Sequence, residues 1–274
     1  MLTNWAEAVR RMHFGLAGAR AAFQRGLRVL PLGRAGEGAL KILVLNANTS
    51  KAVTDRMVAA LGRRAPAGVE LVGVTATFGE PYVTTRQSAA VAGHAALEAV
   101  ASAVAQEREE GRPPFDAALY ACFGEPGLEA LRGAFAFPFA GMAEASILTA
   151  LQLGERFSIV VPHGEWPAML RELMRRTHLD GRCVGIAMVP GDALGLSARH
   201  ADGSSDKTWA VARVVEETIA AQAPDVLILG GAALAGYAAE IEVATPLPVI
   251  DSLEAGFEQA LALARLGSCR RERR

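Results

Sequence analysis

Residues 116–127 read DAALYACFGEPG, and 109 positions later residues 225–236 read DVLILGGAALAG. Each stretch opens on an aspartate, continues as an apolar run of strand length, and ends in a glycine-bearing turn. Other segments repeat at nearly the same spacing: KILVLN at 41–46 with RFSIVV at 156–161, and PFAGMAEA from Pro138 with PVIDSLEA from Pro248. Chance likeness between apolar strands competes as the explanation of any single pair, whereas a common spacing argues for a duplicated half. Each half runs strand, helix, strand, helix, strand, and then a further strand leading into a helix. That alternation predicts an α/β protein of two pseudo-symmetric lobes, each a mainly parallel sheet flanked by helices. Such sheets bind ligands beyond the carboxyl ends of their strands, so the cleft between the lobes is the expected site.

The expected boundaries are a first lobe of residues 41–142 completed by about 248–267, and a second lobe of residues 143–247. An N-terminal extension covers residues 1–40 and a basic tail covers 268–274. The extension holds six arginines against Glu7 and Glu37, with Trp5, Val9, Met12, Leu16 and Phe23 at roughly helical spacing. It reads as an added helix or an upstream start ahead of the domain, with an Arg-rich targeting segment as the alternative.

With 274 residues, 51% of them hydrophobic, the chain can bury a large core. A formal net charge of -1 gives no general attraction for nucleic acid. No uninterrupted apolar run approaches the roughly 20 residues a bilayer span needs. Cys122, Cys183 and Cys269 and the five histidines form neither CxxC nor HExxH, so no metal site or disulfide framework is read. A small-molecule substrate in a cytoplasmic, reducing setting is expected, with neither nucleic acid nor membrane as a partner.

The two copies differ where chemistry would sit, because Cys122 in one stands opposite Gly231 in the other. Cys122 follows the apolar strand 117–121 and precedes Phe123 and Gly124. Glycine there lets the backbone approach a ligand, and free N–H groups of the turn lower a thiol pKa from its usual ~8.5 and stabilise a developing oxyanion. Core packing is the ordinary role of a lone strand cysteine. Cys183, at the start of a buried-type strand, and Cys269, in the tail, read as incidental. Asn48, Thr49 and Ser50 follow the strand 41–46 where a helix over 51–61 should begin. They suit either a plain N-cap or an anion site. Glu144, after a Pro-led strand, reads as a helix-dipole cap or a cleft acid. His163 stands at the repeat position of Asn48, as a ligand contact, an acid or a surface residue.

These segments resemble the aspartate/glutamate/hydantoin racemases, and in particular their hydantoin branch. Asn46-Ala47-Asn48-Thr49-Ser50 is similar to the family's N-P-N-T-S opening, with Ala47 for proline. Ala121-Cys122-Phe123-Gly124-Glu125-Pro126-Gly127 resembles A-C-F-G-D-P-G around the first catalytic cysteine. Gly141-Met142-Ala143-Glu144-Ala145 is similar to G-I-A-E-A, and Ile228-Leu229-Gly230-Gly231-Ala232 lies where the branch has L-G-C-A-G. The resemblance spans roughly residues 41–267. It implies a cofactor- and metal-independent homo-oligomeric isomerase acting on an amino acid or hydantoin-like derivative. In that chemistry Cys122 moves a proton at the carbon beside a carbonyl, with Asn48, Thr49, Ser50, Phe123, Gly124, Gly231 and Ala232 around the substrate. Loops at 82–86 and 163–166 are expected to shape specificity.

Gly231 departs from the family at the second cysteine, so a two-thiol inversion is closed to this chain. General acid/base help is worth ~10² to 10⁴ in rate, and its loss requires a repair. His163, Glu144 or a water admitted by the missing side chain would serve as the second acid. A reaction needing one thiol, decarboxylation or cis-trans isomerisation of a small dicarboxylate, is the alternative. A non-catalytic cleft that binds small carboxylates is a third.

Overall fold

The computed structural model describes residues 40–113, 115–191, 193–197, 205–243 and 245–267. The readings made for residues 1–39, Cys269 and the tail lie outside the described residues.

Strands β1 (Leu40–Asn46), β2 (Val69–Thr75), β3 (Ala117–Tyr120) and β4 (Phe139–Gly141) form one sheet in the order β2-β1-β3-β4. Strands β5 (Phe157–Pro162), β6 (Cys183–Val189), β7 (Val226–Leu229) and β8 (Val249–Asp251) form a second in the order β6-β5-β7-β8. Every pairing is parallel. The two orders are the same once each strand is matched to its repeat partner, which is the duplication read from the sequence.

Helices connect the strands: α1 (Lys51–Gly62), α2 (Arg86–Glu109), α3 (Leu128–Ala134), α4 (Met142–Leu153), α5 (Trp166–Arg176), α6 (Ala193–Ser197), α7 (Ser205–Gln222), α8 (Ala238–Glu242) and α9 (Ser252–Leu266). Helices cover parallel sheets on both faces, so central strands are apolar throughout rather than alternating. β1, β3 and β7 are accordingly buried almost end to end. In β5 and β7 successive side chains enter different cores. Ile159, Val161 and Ile228 join a core that runs into the first sheet, whereas Val160, Leu227 and Leu229 join one with Val211, Val215 and Tyr237. β6 lies at a sheet edge and is mostly half-buried, which corrects the buried-type strand expected around Cys183.

The lobes exchange helices. α4 leaves β4 of the first sheet and packs on β7 and β8 of the second, while α9 leaves β8 and packs on β1, β3 and β4. α4 and α9 also pack against each other. Residues 249–251, assigned from sequence to the first lobe, pair instead with β7, so the chain crosses back only at Ser252.

By length and composition α2 is apolar enough to cross a membrane. Its Ala92, Ala96, Ala99 and Val100 are nonetheless buried in the first lobe's core. The helix starts in a reciprocal capping box: Thr85 Oγ1 accepts from the Ser88 N–H at 3.1 Å and Ser88 Oγ accepts from the Thr85 N–H at 3.0 Å. That box anchors the loop 78–85 ahead of it.

Candidate active site

The carboxyl ends of β1, β3, β5 and β7 meet at one inner pocket. Its lining includes Asn46 at the end of β1 and Asn48 after it, Cys122 and Phe123 after β3, Val161 and Pro162 of β5, and Gly230, Gly231 and Ala232 after β7, with Tyr82 added from a loop and Trp166 from the start of α5. The space is narrow, about 20 Å³, enough for a water molecule. An outer vestibule of about 670 Å³ adjoins it, with Pro81, Tyr82, Thr84, Thr85 and His163 on its walls. Tyr82 borders both spaces.

Asn48 faces the pocket because Asn46 organises the turn. Asn46 Nδ2 donates to Asn48 Oδ1 at 2.9 Å and to Thr54 Oγ1 at 3.0 Å, and its Oδ1 accepts from the Asn48 N–H at 3.2 Å. Asn48 Oδ1 also accepts from the Ser50 N–H at 2.9 Å. With that oxygen occupied, the Nδ2 amide is the group Asn48 has left to offer a carbonyl or carboxylate oxygen. Thr49 and Ser50 are not among the lining residues. The Asn48–Ser50 bond turns the chain into α1, where Ser50 takes the N-cap position without a side-chain cap bond.

Cys122 is half-buried just past the end of β3, in a turn closed by the Glu125 N–H, which donates to the Cys122 carbonyl oxygen at 2.9 Å; the backbone N–H groups of Gly124 and Glu125 favour its charged form. Withdrawal from water outweighs those donors and pushes the thiol up to about 12; negative charge on Glu125 acts in the same direction as burial. Burial thus works against the lowered thiol pKa expected from the turn. Gly124 is required by packing, since a β-carbon there would collide with the Trp166 indole. Phe123 lays its ring over Gly230, where a β-carbon would come within 2.5 Å of it.

Glu125 was not singled out from the sequence. It is 2% exposed, and its Oε1 accepts from the N–H groups of Ala143 and Glu144 at 2.6 and 2.9 Å, capping α4. Burial pushes its carboxyl up to about 8. The second lobe solves the same problem differently: Asp251 caps α9 through Leu253 at 2.9 Å and accepts from the Gly236 N–H at 2.5 Å.

Neither proposed second acid reaches the inner pocket. Glu144 is drawn to Arg132, which holds it at 2.6 and 3.2 Å. His163 is exposed on the vestibule wall, because the chain turns outward after Pro162.

Gly231 does line the pocket, with φ +100°, and its N–H donates to the buried Ser252 Oγ at 3.0 Å. The loops expected to shape specificity clasp the lobes together. Thr84 carbonyl oxygen accepts from the Glu165 N–H at 2.8 Å, and Arg86 pairs bidentately with Glu172 at 2.6 and 2.7 Å. Tyr82 completes the clasp, its oxygen accepting from the Ala233 N–H at 3.2 Å. Tyr82 and Trp166 carried no motif; only their place in the two glycine- and proline-bearing loops marked them.

Two parallel-sheet lobes with a strand-end thiol lining the pocket at their junction define the class of protein as a two-lobed α/β fold with a cleft site. The Asp/Glu/Hydantoin racemase family matches residues 42–260, and the chain belongs to it. It is 29% identical over 228 residues to a hydantoin racemase of Paenarthrobacter aurescens, covering 83% of this chain and 92% of that protein. Among solved structures it is similar to allantoin racemase from Pseudomonas fluorescens, with 27% identity, a TM-score of 0.75 and coverage of 86% and 95% of the two chains. Allantoin racemase from Klebsiella pneumoniae gives 28% identity, a TM-score of 0.74 and coverage of 84% and 90%. The protein is an isomerase of the racemase type.

Proposed function

We propose that this enzyme racemises a cyclic ureide of the hydantoin or allantoin type, or a related amino acid derivative, with Cys122 as an acid/base. The supporting observation is the Cys122 thiol lining the pocket where four strand ends meet, together with Asn48. As a thiolate, Cys122 takes the hydrogen from the carbon next to a carbonyl, and the bonding pair moves onto the carbonyl oxygen. Asn48 Nδ2 holds that oxygen as charge develops. Protonation from the opposite face then gives the other enantiomer. The names of the relatives favour a ureide over a free amino acid as substrate.

Single enantiomers of allantoin, a 5-substituted hydantoin, aspartate and glutamate, followed by polarimetry, test the reading. Loss of optical rotation with at least one of them, abolished in Cys122→Ala, is the expected result; no rotation change with any of them refutes it.

One observation favours a second reading. Among the described residues Cys122 is the one cysteine lining the pocket, with Gly231 at its repeat position, and this suits a reaction in which Cys122 only donates a proton, as in decarboxylation of a substituted malonate. Carbon dioxide release from such malonates, lost in Cys122→Ala, would establish that reading instead.

A further inference from the structure

We propose that Tyr82 is the second acid of this site, delivering its hydroxyl proton to the substrate face opposite Cys122. The proposal rests on the racemase reading above and supplies the group that Gly231 lacks.

Position is the first argument. Tyr82 belongs to the first-lobe loop between β2 and α2, yet its oxygen accepts from the Ala233 N–H of the second lobe. The side chain therefore spans the cleft and lines the inner pocket together with Cys122 and Gly231. A β-carbon built on Gly231 would find the Tyr82 hydroxyl as its nearest neighbour, at 3.7 Å, followed by Phe123 Cβ and Pro162 Cδ at 3.8 Å. The hydroxyl thus stands at the wall region that a side chain on residue 231 would enter.

Chemistry is the second argument. The Tyr82 oxygen accepts from Ala233, so its own hydrogen is not consumed by that bond and can be given to a ligand. Burial keeps the phenol in its protonated form, and charge on Cys122 disfavours charge on Tyr82. Charge on one of the two groups therefore disfavours charge on the other. His163 and Glu144, held elsewhere, do not compete for this place.

The proton count balances. The Cys122 thiolate takes the hydrogen from the stereocentre, and the C–H bonding pair becomes the enolate. Tyr82 O–H gives its proton to the other face, forming the new C–H bond with inverted configuration. This leaves a Cys122 thiol and a Tyr82 phenolate. Return of the thiol proton to the phenolate through water resets the pair, and the opposite enantiomer runs the sequence backwards.

Tyr82→Phe keeps the ring and removes the proton. In deuterated water, starting from single enantiomers of allantoin and of 5-benzylhydantoin, label at the stereocentre and enantiomer composition are measured separately. Inversion should fall about 10²- to 10⁴-fold, while Cys122 continues to exchange label on its own face with retention. Inversion at the wild-type rate in Tyr82→Phe overturns the proposal and leaves a water as the donor. Equal loss of exchange and inversion, in a variant that melts like the wild type, also overturns it, because Tyr82 then only holds substrate. If Tyr82→Phe does not fold, 3-fluorotyrosine at position 82 replaces it; the more acidic phenol must change the ratio of inversion to exchange, and an unchanged ratio overturns the proposal. A wild type that neither exchanges nor inverts refutes the racemase reading itself, and the Tyr82 assignment falls with it.

Discussion

Raising the pH should accelerate this enzyme steeply, with no plateau near the value of an ordinary cysteine. The base is the Cys122 thiolate, and burial pushes the thiol up to about 12 despite the neighbouring backbone N–H groups of Gly124 and Glu125. At pH 8 only a minor fraction of the free enzyme then carries the thiolate, and that fraction grows about tenfold per pH unit. Because kcat/KM reports the ionisation of the free enzyme, it should keep rising from pH 7 to 10, less steeply around pH 8 where Glu125 gains its charge. Glu125 modulates the height of that line. Its carboxyl, pushed up to about 8, acquires charge in the same range and holds the thiol proton more tightly. Glu125→Gln should therefore raise kcat/KM above pH 8 and leave it close to wild type at pH 6. The assay is the initial rate of rotation loss by one enantiomer across the pH series. The rate of Cys122 alkylation by iodoacetamide, mapped by mass spectrometry, provides an activity-independent copy of the same curve. A profile that levels off near pH 8.5 in both measurements would show that the thiol is not held up by burial, and the reasoning would fail.

Stability and backbone strain at the same site give further expected outcomes. Between pH 4.5 and about 8 the folded state keeps the Glu125 proton while the unfolded chain releases it, so this group's contribution to stability is lost as pH rises through that window. Glu125→Gln should gain stability relative to wild type in urea unfolding at pH 8.5 and lose that advantage at pH 5; a pH-independent difference would contradict the carboxyl's assignment. Gly231→Ala has room for its methyl but must adopt φ +100°, at a cost of about 1–3 kcal/mol. Its melting temperature should drop by roughly 2–4 °C per kcal/mol. Gly231→Cys should show the same drop, since strain precedes any gain from a second thiol, and unchanged melting of both would place the strain elsewhere. Ser252→Ala removes the acceptor of the Gly231 N–H and should cost about 1–3 kcal/mol, read by the same unfolding experiment.

The duplicated architecture was legible because strands buried on both faces are written as continuous apolar runs. The spacing of those runs survived even where the residues changed, as between KILVLN and RFSIVV. Cys122, Asn48 and Gly231 were legible for a related reason: each stands just past such a run at a strand's carboxyl end, and all three do line the pocket. The loops beyond the strand ends were harder to read. Thr49 and Ser50 do not line the pocket, and the bond from the Ser50 N–H to the Asn48 side chain that turns the chain there has no periodicity to reveal it. Glu144 was lost to Arg132, a partner 12 positions away that no spacing rule connects to it. The thiol's direction of shift was misread because the turn's donors are visible in the sequence and the depth of burial is not. Tyr82 reaches 151 positions along the chain to Ala233, and only the closing of the cleft brings them together.

Loss of the stereocentre hydrogen to solvent tests the central claim most directly. A single enantiomer of the substrate in deuterated water is followed by proton NMR with wild type and with Cys122→Ala at equal concentration. The signal of that hydrogen should decay with the wild type and persist with the variant. Decay at the wild-type rate without the sulfur would remove Cys122 from the chemistry.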